Sequence, residues 1–342
     1  GVQTCALPIC KLQLAIPLLH VQDTRLQGSV VLAGNDVQIS PQVPLLARTQ
    51  GTLQFTESGF SLQGVQSRML GGNSRLEGGL RSSTVPAGEP RLLIRAQGQI
   101  TAEGLRAARN LPPLDTLARQ MQGQTSYSAT LGWQGSQPEL SIRSSLEGME
   151  LLFPAPLGKR AAQALPLNIT TRVLPSAPRP QDQLQIDIGQ IASALYVRDL
   201  SGPSPRALRG NLSVGVRSGG AGNLPEQGVS ALVRLDELPL DAWEAVLPRG
   251  TTASSEDNDD AWRSYLPNRL GLQAAALTVQ GRTLHDVVAG ITREGSTWRA
   301  NVDARELSGH AQYVQPGRQQ SGRLFARLTR LNLPPSAVSE VE

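Results

Sequence analysis

Reactive side chains are few in this chain, and they stand apart. Its three histidines, His20, His285 and His310, are distant in sequence, and only His285 has a neighbour that could work with it. In His285-Asp286 a carboxylate could orient an imidazole for base catalysis. No G-x-S-x-G elbow supplies a nucleophile for that pair, so a strand histidine beside an exposed aspartate is the plainer reading. Glu256, Asp257, Asp259 and Asp260 lie close enough to suggest calcium. That stretch lacks the glycine and closing glutamate of a calcium loop, and it reads as a solvated acidic loop. Asn168-Ile169-Thr170 and Asn211-Leu212-Ser213 match the glycosylation triplet, which arises readily by chance. There is no phosphate-binding glycine loop, dinucleotide fingerprint or Cys/His zinc spacing. Trp133, Trp243, Trp262 and Trp298 are isolated, as core anchors are and a base-stacking platform is not. The expectation is a non-enzyme with no catalytic residue, no cofactor and no metal.

Composition agrees with that. Of 342 residues, 34 are glycine and 24 proline, while aromatics make up only 4%. Small residues and frequent turns fit many short strands better than a compact helical enzyme. A net charge of +4 is modest for the length and gives no mandate for nucleic acid. Lysine occurs only at Lys11 and Lys159, so arginine supplies the other 30 basic residues. Either a GC-rich genome or a rim of arginine forks facing phosphate accounts for this bias. Residues 1–9 read as the translated end of a sequencing adapter, with Cys10 at the junction, so 1–10 is set aside as an artefactual N-terminus. Cys5 and Cys10 are the only cysteines, and from Lys11 onward no disulfide or thiolate chemistry can be argued.

The elements that organise the chain show in its alternation. Trp298, Ala300, Val302 and Ala304 alternate with Arg299, Asn301, Asp303 and Arg305, and Leu324, Ala326 and Leu328 alternate with Arg323, Phe325 and Arg327. A period of two puts one set on a dry sheet face and the other in water. Short polar turns, such as Glu294-Gly295-Ser296, separate the runs. The same grammar recurs at Leu53 and Phe55, at Leu184, Ile186 and Ile188, and at Leu212, Val214 and Val216. The fold class expected is mainly β: a long twisted antiparallel meander curled into an open groove. Helical spacing after prolines predicts short amphipathic helices at about 113–121, 157–165 and 240–247.

The phrases GTLQFTESGFSLQG…MLGGNSRLEGGL (51–80), LTVQGRTLHDVVAGITREGSTWRANV (277–302) and LSGHAQYVQP…GRLFARLTRLNLP (307–334) resemble the YhdP branch of the AsmA-like proteins. The likeness rests on Val279-Gln280-Gly281-Arg282, on Trp298 leading a strand, on Leu307-Ser308-Gly309 and on Leu328 to Pro334. It is densest over about 265–334, with 11–342 taken as one continuous β-groove region. These are structural phrases, and no catalytic residue comes with them.

The resemblance implies a periplasmic segment of a protein anchored to the inner membrane of Gram-negative bacteria. Such a protein carries phospholipid towards the outer membrane along an apolar groove. The implied partners are phospholipid acyl chains, the inner membrane through an anchor absent from this chain, and an outer-membrane component. The groove wall expected here is Leu53, Phe55, Leu184, Ile186, Ile188, Leu212, Val214, Val216, Trp298, Ala300, Val302, Ala304, Leu324, Ala326 and Leu328. The alternative is a structural or surface β-scaffold whose apolar face is packed full and carries no lipid. An enzyme on a β-solenoid ranks last, because Asp and Glu are scattered.

Overall fold

Among the described residues, the alternating runs become nineteen strands. The structure, a computed structural model, describes residues 9–16, 24–39, 43–80, 92–108, 114–134, 137–175, 179–202, 204–216, 224–246, 261, 263–315 and 321–332. These residues fall into two compact units, one made of 1–151 with 159–175 and the other of 152–158 with 176–342.

Unit 1 contains β1 (Ile9–Ala15), β2 (Arg25–Val37), β3 (Leu46–Thr56), β4 (Gly59–Met69), β5 (Gly72–Leu80), β6 (Leu92–Thr101), β7 (Met121–Gln134), β8 (Gln137–Ser144), β9 (Met149–Leu151) and β10 (Leu167–Leu174). Each strand from β1 to β8 pairs antiparallel with the next, and β10 adds beyond β8. Two-residue turns close several of these hairpins. Between β4 and β5, Leu70 and Gly71 both take positive φ, +48° and +85°. That is the twist a tight hairpin needs, and it explains the glycine.

Two short helices lie between β6 and β7. The first, α1 (Ala102–Ala107), is capped by Thr101, whose Oγ1 accepts from Gly104 N at 3.0 Å. Gly104 inside it costs helix propensity. A side chain there would put Cβ 2.0 Å from the Leu70 carbonyl, so only glycine lets the helix rest on that turn. The second, α2 (Leu114–Leu117), runs into a 3-10 turn over Ala118–Gln120. The second, with its 3-10 turn, falls within the helix expected at 113–121, while α1 was not expected. Arg106 fixes that turn by donating to the carbonyls of Ala118 and Met121.

The helix expected at 157–165 is not formed. The backbone there makes only isolated turns of its own, Leu157 N to Pro154 O and Gln163 N to Arg160 O, and otherwise bonds to the neighbouring segment 145–151. Leu151 and Lys159 exchange both backbone hydrogen bonds, Gly148 N donates to Ala161 O, and Leu165 N donates to Ser145 O. Lys159 Nζ is drawn in as well, donating to the carbonyls of Met149 and Arg160. Apolar spacing was present, but the partner strand took the hydrogen bonds.

Unit 2 contains β11 (Gln181–Ile188), β12 (Ala192–Asp199), β13 (Arg206–Val214), β14 (Gly228–Pro239), α3 (Leu240–Val246), β15 (Arg269–Val279), β16 (Arg282–Glu294), β17 (Thr297–Asp303), β18 (Leu307–Val314) and β19 (Arg323–Leu331). Its strands are neighbours in chain order. Most pairs are antiparallel, but β13–β14 and β14–β15 are parallel, which makes this sheet mixed. Helix α3 matches the third expected helix over the described residues. Its Asp241 carboxylate accepts from Gln280 N and Gly281 N at 2.6 and 2.9 Å, clamping the β15–β16 turn. Trp243 Nε1 donates to Ala155 O at 3.0 Å, and its ring stacks on Phe153.

Candidate functional site

Residues paired across a ladder point to the same face, so the strand register decides which side chains share a surface. In unit 2 the result is two long transverse rows. One runs Ile186, Ala194, Leu212, Ala231, Leu270, Ile291, Ala300, Ala311 and Ala326. The other runs Ile188, Ala192, Val214, Val233, Leu272, Ala289, Val302, Gly309 and Leu328. Every member is apolar over nine strands. Most are half-buried, Ala289 is buried, and both members on β19, Ala326 and Leu328, are exposed. A filled sandwich core would bury such residues almost completely. The opposite face is more polar: it carries Gln185, Asn211, Arg234, Gln273, Arg299, Asn301, Gln312 and Arg327, with Leu195, Leu232, Val288 and Phe325 among them.

The two ends of this face are closed. At one end Leu184 pairs with Tyr196, and Asp182 pairs with Arg198, whose Nε donates to Asp182 Oδ1 at 2.8 Å. Tyr265 packs edge-on against Tyr196 with ring centroids 5.2 Å apart, and Tyr196 donates to the Tyr265 carbonyl. Burial and then the Tyr265 charge push the Tyr196 phenol up to about 12. At the other end Leu277, Leu284, Val287 and Ala304 form a closed cluster, with Val302, Leu272 and Leu307 against it. Alternation slips between Leu284 and Val287, both buried, because Asp286 sits at φ +51°.

Unit 1 has a face of the same kind. Val30, Leu53, Leu62, Gly78, Ile94, Leu131 and Leu140 form one row. Leu76, Ala96, Ala129, Ile142 and Ile169 form another. A third holds Gly28, Phe55, Phe60, Leu80 and Leu92. The Phe55 ring lies over Gly28, where a Cβ would come within 2.4 Å of it. One end is closed by Thr49, Ser67, Ser74 and Tyr127, all buried and hydrogen-bonded among themselves or to backbone.

Of the residues expected on the wall, Leu53 and Phe55 lie on the apolar rows of unit 1, and Ile186, Ile188, Leu212, Val214, Ala300, Val302, Ala326 and Leu328 on those of unit 2. Trp298 and Leu324 form a shorter row with Tyr313, and Arg293 lies 5.4 Å over the Trp298 ring. Leu184 and Ala304 sit on the same face but are buried in its closed ends. Val216 lies beyond the end of β13, after Gly215 at φ +69°, and so belongs to no row. The rows also recruit Ala194, Ala231, Leu270, Ile291 and Ala311, which alternation alone did not single out.

The possible His285-Asp286 dyad is not assembled. His285 Nδ1 is 2.7 Å from Glu306 Oε1, while Asp286 pairs with Arg305. The backbone N–H of His285, and then its ring, hold the Glu306 carboxyl below its usual range. Among the described residues, no group of three or more His, Cys, Asp or Glu could hold a metal ion. The acidic stretch 256–260 lies outside the described residues, as does Trp262.

The sequence matches the family model described as YhdP protein over residues 10–342. No curated protein and no solved structure matches it.

Proposed function

The chain belongs to the YhdP family, and from that membership together with its open apolar rows we propose that it is a lipid-conducting segment of an envelope protein. Phospholipid acyl chains lie along the apolar face, and the polar face stays in water. The reading places the segment in the periplasm, anchored to the inner membrane by another part of the protein, with phospholipid moving towards the outer membrane. Among the described residues no helix is long and apolar enough to cross a membrane.

The observation that carries the reading is the pair of uninterrupted rows across β11–β19. Burying an acyl methylene is worth roughly 0.8 kcal/mol, so a lipid tail must not leave apolar surroundings at any point of its path. A continuous row meets that demand because each strand hands the chain to the next. Alanine and glycine at Ala289, Ala300, Gly309, Ala311 and Ala326 keep the surface low enough to admit a tail. Transport also needs the tail to leave again. A long surface of equivalent weak contacts allows sliding, where a single deep pocket would trap it.

The scaffold alternative draws on the Leu277, Leu284, Val287 and Ala304 cluster, which is filled. Site-specific photo-crosslinkers at Ala300 and Val302, with Arg299 and Asn301 as opposite-face controls, separate the two readings. Phospholipid adducts at the first pair only, and co-purifying phospholipid by mass spectrometry, are expected. Adducts at neither position, in a chain that carries no lipid, would sink the transport reading and leave the scaffold.

A further inference from the structure

The polar face of unit 1 holds a hollow of about 420 Å³ lined by Arg48, Arg68 and Arg75 and by no carboxylate. Gln50, Gln66, Asn73 and Gln97 add neutral amides to its wall, and the buried Ser67 and Ser74 also border it. Gln50 pairs with Gln66, Gln66 with Arg75, and Arg75 with Gln97, so these four side chains share one face. Their chain neighbours Leu76 and Ala96 are on an apolar row, which puts the hollow on the opposite side of the sheet from the rows.

The backbone is bent to build it. Pairing of β3 with β4 shifts register between Ala47 and Gln50, and within that irregularity Arg48 takes φ +51°. Such a conformation is costly for a residue with a Cβ, and bulges of this kind re-aim side chains beside functional sites. Here Leu46 and Thr49 are both buried while Arg48 and Gln50 are both exposed, so the slip delivers two consecutive outward polar positions to the same side. Asp36 holds the bend through its carboxylate, which accepts from Arg48 N at 2.9 Å. Arg68 spends only its Nε on the Gly71 carbonyl. Arg75 makes only a long, exposed ion pair with Glu77, Nε to Oε2 at 4.0 Å, which solvent screens. Three guanidinium groups thus surround one hollow with no carboxylate in its lining, and neutral amides fill the spaces between them. Arginine forks match the paired oxygens of a phosphate group and bind it in bidentate fashion.

We propose that this hollow is a phosphate-binding site, taking the group either free in solution or on a headgroup at a membrane surface. It stands on the polar face and does not depend on the lipid-track reading.

The test uses the whole chain with two probes: inorganic phosphate by calorimetry in low-chloride buffer, and phosphatidylglycerol vesicles by co-sedimentation. Arg75→Gln changes an exposed side chain and leaves the fold intact, and Arg48→Gln/Arg75→Gln removes two of the three charges. The expected result is binding that weakens about threefold in the first variant and at least tenfold in the second. Arg323→Gln/Arg327→Gln, on the polar face of unit 2, is expected to bind as the unaltered chain does. Arginine-dependent phosphate binding without vesicle capture assigns a soluble phosphate compound, and arginine-dependent vesicle capture assigns a headgroup. The site is overturned if the unaltered chain binds neither probe, if Arg48→Gln/Arg75→Gln binds both undiminished, or if the unit 2 variant loses as much.

Discussion

The two units end their apolar faces by different chemistry. Unit 1 closes one end with neutral hydroxyls: Thr49 on the Leu46 carbonyl and on Ser67, and Ser74 against the Tyr127 hydroxyl at 2.9 Å. Unit 2 closes the corresponding job with charge, a buried Asp182–Arg198 pair backed by Tyr196 and Tyr265. Both devices keep polar backbone and solvent away from the apolar rows. They differ in what happens when one member is lost. A hydroxyl left alone is a modest debt, whereas a guanidinium left alone in a buried place is a large one. The frame around the unit 2 rows is therefore the more brittle of the two.

The sharpest way to break this contrast is Asp182→Ala. It leaves Arg198 unpaired and is expected to destabilise unit 2 by about 3–5 kcal/mol, read as a drop in the urea midpoint. A loss under ~1 kcal/mol would put the two closures on equal terms. Next comes alkaline pH. Because the Tyr196 pKa is raised from 10.0 to about 12, the folded chain keeps a proton that the unfolded chain has released. Stability is whole below pH 10 and falls as pH rises to about 12, by on the order of 2–3 kcal/mol. Urea titrations at about pH 9 and about pH 11 measure the fall, and in Tyr196→Phe that part of it is expected to vanish. Ser74→Ala in unit 1 leaves the buried Tyr127 hydroxyl without its partner and is expected to cost about 1–2 kcal/mol, seen as a small shift in thermal midpoint. Arg299→Gln, which removes an exposed pair with Glu294, is expected to stay within about 0.5 kcal/mol.

Much of the sheet was legible because period-two alternation survives in the strands. Residues 297–304 alternate between less and more exposed positions as expected, whereas on β19 both faces are exposed, Leu324 and Leu328 included. What alternation could not supply was direction. A strand shows the same pattern whether its neighbour runs parallel or antiparallel, so nothing in Gly228 to Pro239 announced that β14 pairs in parallel on both sides. Alternation also fails where a non-glycine residue takes positive φ. Leu284 and Val287 are three apart yet buried together, and a strict period of two separates them. Helix α1 was hidden by Gly104, which lowers propensity but answers a close backbone approach. The segment 157–165 misled in the opposite sense, since its apolar spacing said nothing about the loop that captures its hydrogen bonds. On the candidate site, which residues share a face was readable on the regular strands. Leu184 and Ala304, shut into the ends, were not distinguishable from open wall, because burial at a row's end depends on elements distant in sequence, such as Tyr265.

The parallel placement of β14 also bears on the order in which unit 2 assembles. A hairpin such as β15–β16 can zip from its turn, with Val279 and Arg282 as the first pair to meet. Strand β14 has no such start, because its contacts join Arg209 to Gly228 and Ser230 to Arg269. Closing loops of that length costs entropy before any ladder contact is gained, and non-local pairings of this kind slow folding. The expected sequence is two preformed hairpin arrays, β11–β13 and β15–β19, that wait for β14 to bridge them. Until it does, each array presents an unpaired edge, and the apolar rows are cut in two.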